Sequence, residues 1–63
     1  MGAYRMNTGD RVRVANPNSF MESSVGVVVP KPSNSRHWDY YVKFEEEEYP
    51  VGFKEDELEV LNG

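Results

Sequence analysis

Four consecutive glutamates, Glu45 to Glu48, are the densest set of potentially reactive groups in the chain. Two carboxylates can act as general acid and base when an apolar cleft holds them across a substrate. Adjacent glutamates in a polar run are solvated instead, and they repel one another wherever water is excluded. Carboxylate oxygens also suit calcium or magnesium. The run lacks the spaced Asp/Asn/Gly loop of a dedicated site, so only weak, non-specific cation binding is expected and no resident metal or other cofactor. The single histidine, His37, stands beside Arg36 in a polar stretch, where it is either a pH-sensitive contact or a solvated bystander. With no cysteine and no Gly-x-Ser-x-Gly elbow, the chain offers no activated nucleophile. The expectation is a protein that is not an enzyme.

Binding chemistry is better represented. Arg11 and Arg13 alternate with Val12 and Val14, and Tyr41 and Lys43 alternate with Tyr40, Val42 and Phe44. If the two segments are neighbouring strands, their outer faces join two arginines, a lysine and a tyrosine. Such a patch suits an acidic protein surface, or a single-stranded nucleic acid stacked on the aromatic ring. Phe20 and Met21 place two large apolar side chains among polar neighbours, and Arg36 belongs to a proline-rich loop; exposed aromatics, Met and Arg are typical of interface centres. Phe20 and Met21 could equally close the end of a thin core. Trp38, in phase with Tyr40, Val42 and Phe44, is expected to face inward. The candidate partner-binding residues are therefore Arg11, Arg13, Phe20, Met21, Arg36, Tyr41 and Lys43.

The elements that must position them are short strands separated by turn chemistry. Asn7-Thr8-Gly9-Asp10 reads as a turn and residues 11–15 as a first strand with clean alternation. Asn16-Pro17-Asn18-Ser19 breaks it. Residues 25–29 form a second strand, in which Gly26 marks a bulge or a close backbone approach. A polar loop over 30–36 leads to the strongest strand signal, residues 38–44. Glu45 to Glu48 can only be a turn or a frayed extension. Residues 49–53 read as an edge strand because of Pro50, 54–57 as one tight helical turn, and 58–61 as the last strand. One strand, a long loop, three strands, a 3₁₀-like turn and a final strand is the order of an SH3-like barrel. The fold expectation is all-β, a small five-stranded barrel, with residues 1–63 as a single domain and 1–6 flexible.

The bulk numbers fit that scale. At 63 residues the chain has room for one thin-cored domain that buries only about 60% of its unfolded surface. No cysteine can staple it, and a closed or nearly closed barrel is the topology that leaves fewest exposed edges. Hydrophobic residues make up 38% of the chain and aromatics 13%, enough bulk to fill a small core and argue against disorder. No stretch approaches the roughly 20 apolar residues of a membrane span. A soluble, cytoplasmic protein, monomeric in isolation, is the expectation. The net charge of −4 is unevenly spread: residues 1–44 carry six basic side chains against three acidic ones, while 45–63 carry eight acidic against Lys54 alone. A molecule so divided orients itself on a charged partner. Its pI of about 4.8 lies far below the value above 9 usual for a dedicated nucleic-acid binder.

Four segments together carry a resemblance: Gly9-Asp10-Arg11-Val12-Arg13-Val14, Val25-Gly26-Val27-Val28, Tyr41-Val42-Lys43-Phe44, and Phe53-Lys54-Glu55-Asp56-Glu57-Leu58-Glu59-Val60. With Pro17-Asn18-Ser19-Phe20 they resemble the SH3-like electron transport accessory proteins, in particular the photosystem I reaction-centre subunit IV family. More loosely they resemble the ferredoxin–thioredoxin reductase variable chain and KOW domains. The resemblance spans Thr8 to Leu61. It implies a non-catalytic accessory module docked on a larger, electron-transferring complex, at a cytoplasmic or stromal-side surface. By the same resemblance, Arg11, Arg13 and Lys43 stand at basic positions that help receive acidic carriers. The alternatives are a KOW-like module binding nucleic acid, ribosome or RNA polymerase, and a phage-type inhibitor of a host complex.

Overall fold

A computed structural model describes residues 6–19 and 21–61 of the chain. Five strands follow one another: β1 (Arg11–Val14), β2 (Val25–Val29), β3 (Tyr40–Lys43), β4 (Val51–Phe53) and β5 (Leu58–Val60), with a 3₁₀ turn, η1 (Glu55–Glu57), before the last. All pairings are antiparallel and the spatial order is β4-β3-β2-β1-β5. The chain is all-β. The strand that opens it, β1, lies inside the sheet between β2 and the final strand. β4 and β5 are the two edges, and no ladder between them closes the sheet.

The sheet is nevertheless strongly bent. Laid flat, five strands separate the two edges by roughly 19 Å. The path from Phe53 to Leu58 is five residues, three of them in η1, where each residue rises only about 2 Å. That path cannot bridge the edges of a flat sheet, so the sheet curls and its concave face encloses one core. Every strand contributes to it: Val12 and Val14, Val28, Val42, Phe53 and Leu58, joined by Phe44 just beyond β3 and by Met6 and Met21 from the flanking segments. Val12, Val14 and Val42 are fully buried. η1 is tied down by two carboxylates. Glu57 accepts the Lys54 N–H at 2.8 Å and the Asn16 side-chain amide at 2.8 Å, and Asp39 accepts the Glu55 N–H at 2.8 Å.

β2 coincides with its expected limits, whereas β1, β3, β4 and β5 are each shorter at one or both ends. Three departures concern the site. The register through Gly26 is regular, with Val12 opposite it and the rows on either side unbroken, so that glycine marks close approach and no bulge. A bulge-like step lies instead at the start of β3. The Asp39 N–H donates to Phe53 O at 2.9 Å, and Phe53 is also the partner of Tyr40. Two residues facing one is the arrangement of a β-bulge, and it reverses side-chain alternation upstream. Trp38 therefore does not join the core. Its ring fills the space that a side chain on Gly52 would occupy, and Gly52 pairs with Tyr41 on the outer side of the sheet. The third departure is Met6, expected to be flexible, which is buried in the core and 7% exposed; residues 1–5 lie outside the described part.

A second two-against-one step stands at the start of β2. The Ser23 N–H donates to Val14 O at 2.8 Å, while the Val14 N–H donates to Ser24 O at 2.9 Å. Ser23 adopts φ 72° there, in the left-handed region that costs a side-chain-bearing residue about 1–2 kcal/mol. A Ser23→Gly variant is expected to gain up to about 1 kcal/mol in urea denaturation, after the extra unfolded-state entropy of glycine is subtracted. A loss of stability would show that the Ser23 side chain holds the turn.

Candidate docking face

Because opposed residues of antiparallel strands share a face, the register sorts the outer side chains into three rows. Glu59, Arg13 and Val25 form one, across β5, β1 and β2. Arg11, Val27 and Lys43 form the next, across β1, β2 and β3. Val29, Tyr41 and Gly52, the last covered by Trp38, complete the third. Four of the residues expected to bind a partner, Arg11, Arg13, Tyr41 and Lys43, thus stand on one face. Between the arginines and the lysine runs a strip of valines on β2. Val25 and Val27 remain 43% and 40% exposed, and they line a shallow open groove with Arg11, Lys43 and Glu45.

The cations on this face are not equally free. Arg13 donates through Nε to Glu59 at 3.0 Å and through Nη2 to the same oxygen. Both partners are exposed, so the pair contributes less than about 1 kcal/mol, and its main effect is to neutralise the end of the face. The Lys43 ammonium turns down onto the β3–β4 connection, donating to Phe44 O at 2.7 Å and to Glu47 O. It therefore positions the acidic turn as well as carrying charge. Arg11 is exposed and, among the described residues, makes no ion pair. Tyr41 is half-buried, its hydroxyl 3.0 Å from Ser35 Oγ. His37 meets Trp38 edge-on, with ring centroids 4.3 Å apart.

The remaining expected residues fall elsewhere. Met21 is a core residue, 8% exposed and packed with Val14 and the other buried side chains, so it is not available to a partner. A 63-residue chain has too few strand residues to seal its core, and the loop methionine closes it. Phe20 lies outside the described residues. Arg36 is exposed in the β2–β3 connection and has no hydrogen bond to another described side chain that would bring it to the face. Sequence reasoning did not single out the valine strip or Trp38. The strip was readable: with Gly26 and Val28 facing in, Val25, Val27 and Val29 must face out. The reorientation of Trp38 carried no local signal.

Among the described residues no three His, Cys, Asp or Glu side chains are grouped so as to hold a metal ion, and no helix is long and apolar enough to cross a membrane. Glu45 to Glu48 are exposed and follow the connection between β3 and β4. Compared with known proteins, the chain matches no family model and no curated sequence.

Proposed function

We propose that this chain is a non-catalytic docking module that binds a protein partner through the outer face of β1, β2 and β3. The observation that carries the reading is the row Arg11–Val27–Lys43, which sets an apolar strip between two cationic strands. Exposed aliphatic surface rimmed by charge is the composition of an interaction site. Glu45 and Glu59 border the same face, which weighs against a polyanion and for a protein surface of mixed charge. In fold type the module is an SH3-like barrel, a reading supported by the single core that both edge strands share and by the 3₁₀ turn before β5. The partner class implied by the sequence resemblance is an electron-transferring complex. A second reading is single-stranded nucleic acid, favoured by the outward placement of Trp38 beside Tyr41.

Affinity capture with tagged protein, followed by mass spectrometry, tests both. The wild type is expected to retain a defined protein complex. An Arg11→Glu/Val27→Glu variant, shown by circular dichroism to be folded, is expected to lose at least tenfold of it. Undiminished capture by that variant would remove the face from the reading. Material that disappears after nuclease treatment would transfer it to nucleic acid.

A further inference from the structure

The same face has features that a copy of itself would satisfy, and the argument rests on reading it as a docking surface. Its free charges are of both signs. Arg11, on the β1 side of the valine strip, makes no ion pair among the described residues, and Glu45, beyond the β3 side, is exposed and likewise makes none. The other charges are already engaged: Arg13 with Glu59, and Lys43 with the carbonyls of its own turn. A face with one free cation and one free anion on opposite sides of an apolar strip is complementary to itself under a two-fold rotation. With the axis along β2, β1 of one copy lies over β3 and the following turn of the other. Arg11 then meets Glu45 twice, and the valine strips pack against each other.

We propose that the outer face of β1–β2–β3 pairs with the same face of a second copy, forming a symmetric sandwich of two sheets. Val27, in the middle of the central row, sits at its centre. Two sheets stack face to face about 10 Å apart, a separation that valine side chains from both sides fill. The small domain has a motive for this: its thin core leaves Val25 and Val27 some 40% exposed, and association is one of the few ways so short a chain gains further apolar burial. Three strands of four or five residues cover a face of only about 14 by 17 Å. That area falls at or below the lower end of stable interfaces, so the dimer is weak, with a dissociation constant of about 10 µM to 1 mM. A tighter-binding partner therefore displaces the second copy.

Sedimentation equilibrium from low micromolar to millimolar protein tests the proposal. The wild type is expected to show a reversible monomer–dimer equilibrium, and Val27→Glu to weaken it at least tenfold with an unchanged circular dichroism spectrum. Arg11→Glu and Glu45→Arg, each alone, are expected to impair dimerisation, whereas an equimolar mixture of the two restores it, because every facing pair is then Glu with Arg. Should Val27→Glu fold poorly, the mixing experiment alone decides. A monomer throughout the range, a dimer indifferent to Val27→Glu, or a mixture no better than its components would overturn the proposal. Each of those results would leave capture of another protein by this face unaffected. Conversely, a Val27→Glu monomer that still captured the partner would refute the docking face while leaving the dimer standing.

Discussion

A Gly26→Val variant is expected to lose most of the domain's folding free energy. A Cβ at position 26 would lie 2.6 Å from Val42 Cγ1, 2.8 Å from the Lys43 carbonyl oxygen and 2.9 Å from Phe44 Cδ1. The valine and phenylalanine contacts could relax by rotation, but the carbonyl belongs to the β2–β3 ladder and moves only if the strands part. Gly26 faces the core between Val12 on β1 and the end of β3, so the penalty falls at the centre of the sheet. Overpacking by a few methyl groups typically costs 1–3 kcal/mol, and a backbone clash raises that to about 3 kcal/mol or more. A domain of this length has a total of roughly 3–9 kcal/mol. Urea denaturation followed by circular dichroism should therefore show a broad transition at low denaturant, or none. A cooperative transition within about 1 kcal/mol of wild type would mean that β2 and β3 do not approach so closely.

Phe44→Ala is the complementary loss. Phe44 is 3% exposed and Phe53 4%, and their rings meet edge-to-face at 5.9 Å and 75°. They close the core where β3 runs into the acidic turn, and Phe44 fills the space that glycine leaves open at position 26. Truncating a buried phenylalanine costs about 3–5 kcal/mol, and the edge-to-face contact adds about 0.5–1.5 kcal/mol to what area alone would give. Thermal unfolding should report a drop of tens of degrees, since each 1 kcal/mol moves the midpoint of a domain this small by about 4–8 °C. Because Phe44 and Gly26 share one space, the effects of changing both should not add. A double-mutant cycle on Gly26→Ala and Phe44→Leu is expected to give a coupling above about 0.5 kcal/mol. Strict additivity would place the two residues in separate environments.

The strands were legible wherever period-2 alternation ran unbroken. Val12 and Val14 flanked by arginines fixed β1, the valines of 25–29 fixed β2, and Leu58 with Val60 fixed β5. The same alternation put Arg11, Arg13, Tyr41 and Lys43 on outer positions, although only the order of the strands decides that both sets flank β2. Trp38 was misplaced because alternation was carried through residue 39. The step there depends on which carbonyl of β4 Asp39 meets, a non-local fact that no glycine or proline announces. Met21 was misjudged for a related reason: a methionine between Ser19 and Glu22 looks exposed until the sheet curls over it. The partners of the face were equally hidden. Arg13 meets Glu59 only because β5 returns to β1, and the Lys43 ammonium is drawn from the surface by carbonyls of a turn whose shape the four glutamates conceal.

The position of β1 between β2 and β5 has a consequence for how the chain acquires its structure. The β3–β4 ladder joins residues as near as Val42 and Val51, but the β1–β5 ladder joins Arg13 to Glu59. Closing the larger loop costs about 1.5 kcal/mol more in chain entropy than closing the smaller. The meander from β1 to β4 is thus the part that forms early, and the last strand is the step that completes the core. On a ribosome, one flank of β1 stays unpaired until the final residues emerge, and Leu58 cannot cover the core before then. Folding is accordingly post-translational, at the millisecond-or-slower pace of non-local β pairings. A chain interrupted before η1 would present the bare backbone of β1 to its neighbours, the condition under which nascent β-proteins aggregate.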